Sequence, residues 1–363
     1  MDNISKNTYL IDNMIIKPKK ISIKVKLYEL MDTYFYFPDS IKEMTMCGYF
    51  DPGINNLPKL LKYLNIISYE FNREVNNLPI GLKKLKINTL SFNKSIDNLP
   101  KTLKSLEIKS DEFDQSVDKL PQGLIVLSIE GKNFNQRLKN LPKGLRMLEI
   151  ISTKIKLDEV ICDLPKSLKE LTIKCGNGSP IIDKLPHNLV KLKIKTTNNY
   201  PIYAENKLPE SLKCLTLECK HLFRTVDTLP QSLISLTINS CYLNKKLDKL
   251  PNTLKILKII GKFFDEELNN LPQSLEILEI ICNKFNQKLE RLPKGLKELR
   301  IYGDLFNQKI NNLPRNLRIL IVESREFKKK LCNVPKTLNH IIINGSRDYL
   351  KPVSYTHLRA HET

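Results

Sequence analysis

Leu78-Pro79-Ile80-Gly81-Leu82-Lys83-Lys84-Leu85-Lys86-Ile87 and, far downstream, Leu292-Pro293-Lys294-Gly295-Leu296-Lys297-Glu298-Leu299-Arg300-Ile301 are copies of one pattern, L-P-x-x-L-x-x-L-x-I. Its proline recurs at Pro58, Pro79, Pro100, Pro121, Pro142, Pro165, Pro186, Pro209, Pro230, Pro251, Pro272, Pro293, Pro314 and Pro335. Eleven of the thirteen intervals are 21 residues and two are 23. Leucine precedes every one of these prolines except Pro335, which follows Val334. A fixed period of this length marks a chain that stacks one small unit, because a single unit cannot bury its own leucines. It overrides the two or three domains that 363 residues would otherwise suggest.

Each position of the unit has a physical reading. The L-x-I segment alternates apolar and polar, which predicts a short strand with one face buried. Proline has no N–H to give a sheet, so it marks the turn before that strand. Two residues after it, thirteen of fourteen units carry Gly, Ser, Thr or Asn, with Leu60 the exception. Such residues suit a tight turn, either through φ > 0 or by bonding local backbone. Upstream lies an aromatic followed by a short polar residue, as in Phe71-Asn72, Phe92-Asn93, Phe134-Asn135, Phe285-Asn286 and Phe306-Asn307. The Asn is read as bonding neighbouring backbone and the Phe as packing between coils.

The predicted fold class is a β-rich, leucine-rich-repeat-like solenoid of about 14 coils of 21–23 residues, with a parallel sheet on one face and an extended or 3-10 convex side. A parallel β-helix is the alternative. An α-solenoid is a second, less favoured alternative, since a proline in every unit would break its helices.

The expected organisation has three parts. Residues 1–48 form an N-terminal cap with a degenerate first repeat (Phe37-Pro38, then Ile41, Met44 and Met46), in which Lys19–Val25 reads as a strand. Residues 49–351 form the repeat solenoid. Residues 352–363 break the pattern, and Val353–Thr363 resembles the translation of a sequencing-library adaptor. The natural chain is therefore expected to continue past Lys351. Within the solenoid, Leu157–Pro165 and Gly178–Pro209 lack the Phe-Asn pair and contain both 23-residue intervals. These coils are expected to bulge, and a bulge on a regular scaffold is a place for specificity.

The composite motif F-N-x-x-[LIV]-x-x-L-P-x-x-L-x-x-L-x-I, running from about Ile54 to Ile343, resembles the FNIP repeat. That family is a leucine-rich-repeat relative found in Dictyostelium-type amoebae and in giant viruses of the mimivirus group. Here Lys, Arg or Ser mostly stands where the family often has proline, as in Phe285-Asn286-Gln287-Lys288. The resemblance implies a protein-interaction scaffold made by such a virus or amoeba. Some viral members carry an N-terminal F-box and look like substrate adaptors of ubiquitin ligases. No F-box is read here.

Chemistry-bearing motifs are not found. There is no phosphate loop, zinc-protease motif or nucleophile elbow. The histidines His187, His221 and His340 occupy unrelated repeat positions, while His357 and His361 lie in the tail. The eight cysteines make no C-x-x-C pair and show no ladder, so they are read as reduced thiols of a cytoplasmic protein. No enzyme activity, cofactor or metal is expected. No apolar run approaches the ~18 residues of a membrane span, so no membrane partner is expected. A monomer is expected.

Partner surfaces can be named. Residues flanking the inward Leu and Ile point away from the core and vary from coil to coil. The protein-binding face is read from Lys84, Lys86, Glu107, Met147, Glu149, Lys191, Lys193, Ile256, Lys258, Ile277, Glu279, Glu298 and Arg300, with its charges taken as solvated. A basic stripe four residues after the proline competes with it: Lys62, Lys83, Lys104, Arg146, Lys169, Lys213, Lys255, Lys297 and Arg318. With a net charge of +20, such a stripe could track a phosphate backbone. Codon bias in an AT-rich genome also produces abundant Lys, Asn and Ile, so charge alone leaves the protein partner as the first reading and nucleic acid as the second.

Overall fold

The structure is a computed structural model; it describes residues 8–9, 22–26, 37–48, 54–156, 164–177, 185–196, 208–222, 228–243 and 245–344. Two compact units divide the chain, Met1–Gly178 and Ser179–Thr363. Unit 1 holds β1 (Thr8–Tyr9), β2 (Ser22–Lys26), β3 (Glu43–Gly48), β4 (Tyr63–Ser68), β5 (Lys84–Asn88), β6 (Ser105–Lys109), β7 (Val126–Glu130), β8 (Met147–Lys156) and β9 (Glu170–Asn177). Unit 2 holds β10 (Lys191–Thr196), β11 (Cys214–Cys219), β12 (Ser235–Ser240), β13 (Ile256–Gly261), β14 (Ile277–Cys282), β15 (Glu298–Gly303), β16 (Ile319–Ser324) and β17 (His340–Asn344). The described residues contain no α-helix.

Within each unit every strand pairs in parallel with the next, and the repeat sets the register. Leu64, Leu85, Leu106, Leu127, Leu148 and Leu171 align in unit 1, as do Ile66, Ile87, Ile108, Ile129, Ile150 and Ile173. Unit 2 repeats this with Leu192, Leu215, Leu236, Leu257, Leu278, Leu299 and Leu320. These side chains are 0–2% exposed. At about 1.5–3 kcal/mol for each fully buried Leu or Ile, the two rows supply much of the driving force for stacking.

The turns are equally regular. The carbonyl of each repeat proline accepts the N–H of the leucine three residues on, for example Leu82 to Pro79 at 3.0 Å and Leu317 to Pro314 at 3.0 Å. Ile41 donates to Pro38 in the same way at 3.1 Å, so Phe37–Gly48 folds as a coil like the others. These are 3-10-type turns; irregular segments with a second turn, such as Asn76–Asn77 and Asp97–Asn98, make up the rest of the coil outside the sheet.

The position two residues after the proline works differently from the sequence reading. Gly81, Gly123, Gly144 and Gly295 are not in the left-handed region, and the hydroxyls there do not bond their own turn. They reach back one coil instead. Thr253 donates to the carbonyls of Gln231 (2.6 Å) and Leu233 (2.8 Å), and Ser167 to Lys143 (2.7 Å) and Leu145 (2.6 Å). The residue acts as a clip between neighbours, because two backbone carbonyls of the preceding turn converge on it.

Two further ladders hold the coils together. Buried phenylalanines stack ring on ring, Phe71–Phe92–Phe113–Phe134 in unit 1 and Phe264–Phe285–Phe306–Phe327 in unit 2, with centroids 5.7–6.0 Å apart. Beside each stack, the short polar side chain accepts the backbone N–H of its counterpart in the next coil. Asn72 accepts from Asn93 (3.0 Å), Asn93 from Asp114 (3.0 Å), Asp114 from Asn135 (2.8 Å) and Asn286 from Asn307 (2.9 Å).

A third ladder went unread in the sequence, and it corrects the statement about cysteines. Two residues after the strand isoleucine (Leu217 or Val322 in two coils) stand only small residues: Ser68, Thr89, Ser110, Gly131, Ser152, Cys175, Thr196, Cys219, Ser240, Gly261, Cys282, Gly303 and Ser324. Three cysteines therefore do share a repeat position, chosen for size. Ser110 there donates to Leu90 (3.1 Å) and Phe92 (3.0 Å). At Gly303 a Cβ would lie 2.2 Å from the Cys282 carbonyl oxygen, so the chain passes too close for any side chain.

The expected bulges at 157–163, 178–184 and 197–207 and the tail at 352–363 lie outside the described residues.

Candidate functional site

The sheet's open face is built from three outward rows: the residue before the strand leucine, the one between leucine and isoleucine, and the one after isoleucine. In unit 1 the residues named from sequence are brought onto one surface, and one pair of them neutralises itself. Lys86 pairs with Glu107 in the next coil. A hydrogen bond from Lys86 to that carboxylate, against a small desolvation cost, raises the lysine pKa. Ser128 donates to Glu149 at 2.7 Å, and Met147 is exposed beside them. Lys84 is exposed.

In unit 2, Lys191 and Lys193 are exposed at one end, and Lys193 and Lys195 converge on Glu218 at 3.0 and 2.6 Å. Burial works against the Glu218 charge, yet the hydrogen bonds from Lys195 and Lys193 outweigh it and hold the carboxyl below its ordinary range. Further along, Ile256, Ile277, Lys258, Glu279, Glu298 and Arg300 lie together on β13–β15. Glu279 is the exception to the solvated-charge reading. It is 8% exposed and paired with Lys258 at 2.5 Å, because flanking isoleucines cover it. Arg300 is likewise half-buried and donates to Glu298 at 2.7 Å.

The sequence reading missed the third row. Ile260, Ile281 and Tyr302 continue the strand alternation and sit half-buried beside these pairs, joined by Ile319 and Ile321 from β16. Burial raises the Tyr302 hydroxyl pKa. The outcome is an apolar surface in which Lys258 is paired with Glu279 and Arg300 with Glu298, while Arg300 Nε is buried without a partner among the described residues and Glu323 stands beside Tyr302 in the third row. Also missed was an aromatic row in unit 2. His221, Tyr242 and Phe263 stack at 4.7 and 5.0 Å, with Lys262 and Lys284 at 5.3 and 5.0 Å over Phe263.

The position four residues after the proline forms a column in each unit, because its backbone N–H donates to the same position of the preceding coil, and the basic stripe occupies most of that column. In unit 1, Lys62 donates to Lys42, Lys83 to Lys62 and Lys104 to Lys83, at 2.7–2.8 Å. Ile125 interrupts, and Arg146 and Lys169 follow. In unit 2 the column contains Lys213, Lys255, Lys297 and Arg318, but Glu276 sits between two of them. Lys255 and Lys297 reach Glu276 at 3.1 and 2.6 Å. Hydrogen bonds from Lys297 and then Lys255 hold its carboxyl below the ordinary range. Among the described residues, no group of three or more His, Cys, Asp or Glu is placed to hold a metal ion. No helix of the described residues is long and apolar enough to cross a membrane.

No protein-family model and no curated protein matches the chain. Solved structures do. The circular leucine-rich-repeat protein CroV588, from a giant virus, is 27% identical with a TM-score of 0.66, over 88% of this chain and 51% of its own. This chain thus spans about half the length of that protein. YopM from Yersinia enterocolitica is 18% identical over 84% of this chain and 87% of its own, with a TM-score of 0.35. TLR13, in its complex with ssRNA13, is 15% identical over 80% of this chain and 51% of its own, with a TM-score of 0.48. With the CroV588 match beside the registered strands described above, the fold is that of a leucine-rich-repeat-like parallel β-solenoid.

Proposed function

We propose that the chain is a non-enzymatic repeat scaffold that binds a protein partner on the open face of unit 2. The carrying observation is the surface around Ile256, Ile277, Ile281, Tyr302 and Ile319, where apolar side chains surround the internally matched Lys258–Glu279 and Glu298–Arg300 pairs. Charged groups already paired with each other need no matching charge from a partner. The surface therefore suits a partner segment with an apolar centre, which would remove the isoleucines from water at about 25 cal/mol per Å². The constant core and varied outward rows are what a binding solenoid requires.

The finer parts of this reading are proposals with their own supports. The Phe-Asn ladder and the L-P-x-x-L turns support membership of the FNIP family, and the giant-virus neighbour supports a viral or amoebal source. Cys47, Cys214, Cys241, Cys282 and Cys332 are free thiols, which supports a reducing cytoplasm. The scaffold is proposed to act as a monomer, which sedimentation at micromolar concentration checks.

The test is paired capture from amoebal lysate with the full chain and with the double variant Ile277→Ser/Ile281→Ser. A protein retained by the first and lost by the second supports the face. Equal recovery by both, with the variant folded by circular dichroism, overturns it.

A further inference from the structure

We propose that the proline-turn edge of unit 1 is a docking track for the phosphate backbone of a nucleic acid, read by charge and without base specificity. The observation is a difference between two kinds of cation. On the open face Lys86 is matched by Glu107 and Lys109 by Glu130, with Lys84 left exposed, and in the loops Lys119 is matched by Asp97 and Lys132 by Asp111. The stripe is not. Lys42, Lys62, Lys83, Lys104, Arg146 and Lys169 are all exposed, and among the described residues none of them pairs with a carboxylate. Lys42, from the degenerate first coil, extends the column beyond the one read from sequence.

A second row runs beside it one residue after the proline, with exposed Lys59, Lys101 and Lys143. From Pro58 to Lys169 the segments from each proline to the fourth residue after it hold no Asp or Glu. Of unit 1's acids, Asp39 enters the band at its first coil, where it accepts the backbone N–H of Lys59 at 3.0 Å; the others stand elsewhere. Unit 2 offers no such track, because Glu210 and Glu276 enter the same band and Glu276 takes up Lys255 and Lys297.

Spacing selects the polyanion. Stacked coils repeat at about 4.8 Å, so six steps from Lys42 to Lys169 cover about 29 Å. An extended acidic peptide presents same-face carboxylates roughly every 6.6 Å, out of step with the column. A duplex carries one phosphate charge per ~1.7 Å of axis and can answer cations at any spacing over that length. Lysine stems are flexible, and Lys104 shows the reach: its Nζ extends one coil to the Gly123 carbonyl at 3.0 Å.

The experiment is fluorescence anisotropy of the full chain with a labelled 20-base-pair DNA duplex of mixed sequence, from about 50 to 200 mM salt. With four or five phosphates neutralised, affinity is expected to fall roughly 10²–10³-fold across that range. The triple variant Lys62→Gln/Lys83→Gln/Lys104→Gln should bind more weakly, with a log–log salt slope shallower by about 2.7. Lys255→Gln/Lys297→Gln in unit 2 should leave both unchanged. Since its substituted side chains are exposed, the triple variant should melt with the parent, whereas Lys255→Gln/Lys297→Gln should melt slightly lower because Glu276 loses both partners. No binding at the lowest salt, a slope the triple variant does not change, or displacement of the duplex by polyglutamate at equal charge concentration would each overturn the proposal, the last by reassigning the track to an acidic protein.

Discussion

Phe285 is shared by three coils: its ring stacks on Phe264 and on Phe306, both at 5.9 Å, and it is 0% exposed. Phe285→Ala removes both contacts and leaves a cavity that rigid neighbouring backbones cannot close, so a loss of about 3–5 kcal/mol is expected in urea denaturation. Phe285→Leu, which keeps much of the volume, should cost clearly less. The cysteines divide by the same logic of place. Cys241 and Cys332 are exposed, while Cys175, Cys219 and Cys282 are buried in the small-residue ladder. Burial pushes the Cys282 thiol up to about 12. Only the thiolate reacts. Thiol labelling at pH 8 should therefore mark Cys241 and Cys332 in the folded protein and reach the three buried sites only on unfolding. Rapid labelling of Cys282 under native conditions would contradict its placement.

Strands and turns, at the next scale, are joined by bonds that run from coil to coil, and this decides which substitutions matter. Asn286→Ala leaves the Asn307 N–H without its acceptor and should cost about 1–3 kcal/mol, although the side chain lies outside the hydrophobic rows. The acid response also belongs here. Glu218 and Glu276 both have folded pKa values below the ordinary 4.5. Their pairing with lysines is therefore fully stabilising above that value and is lost as pH falls through the lower, folded one. Denaturation midpoints should hold steady from neutral pH to about 5 and then fall. Glu276→Gln should make that fall shallower. What was legible in the sequence was whatever one residue type repeats: leucine in the strand, proline before the turn, Phe-Asn beside it. The post-strand ladder was not, because Ser, Thr, Gly and Cys share size and no chemistry. The apolar face was half legible. Ile256 and Ile277 flank the leucine that anchors the motif, whereas Ile260, Ile281 and Tyr302 fall after the point where the pattern was taken to end.

At the scale of the whole molecule, stability in each unit is a sum over neighbouring coils, none of which has a core of its own. Removing one complete coil, residues 271–291, rejoins equivalent positions and should leave a folded, slightly less stable protein. Removing half of one, 271–281, puts leucines opposite outward rows and should abolish cooperative unfolding. Circular dichroism of the two deletions distinguishes these outcomes. The most direct measurement of the shared apolar spine is amide hydrogen exchange along the chain. Registered parallel coils require slow exchange that recurs with the repeat, over Ile256–Gly261, Ile277–Cys282 and Glu298–Gly303, with faster exchange in the turns between. Uniformly fast exchange across those strands, or one unbroken protected block through the proline-led segments, would contradict it.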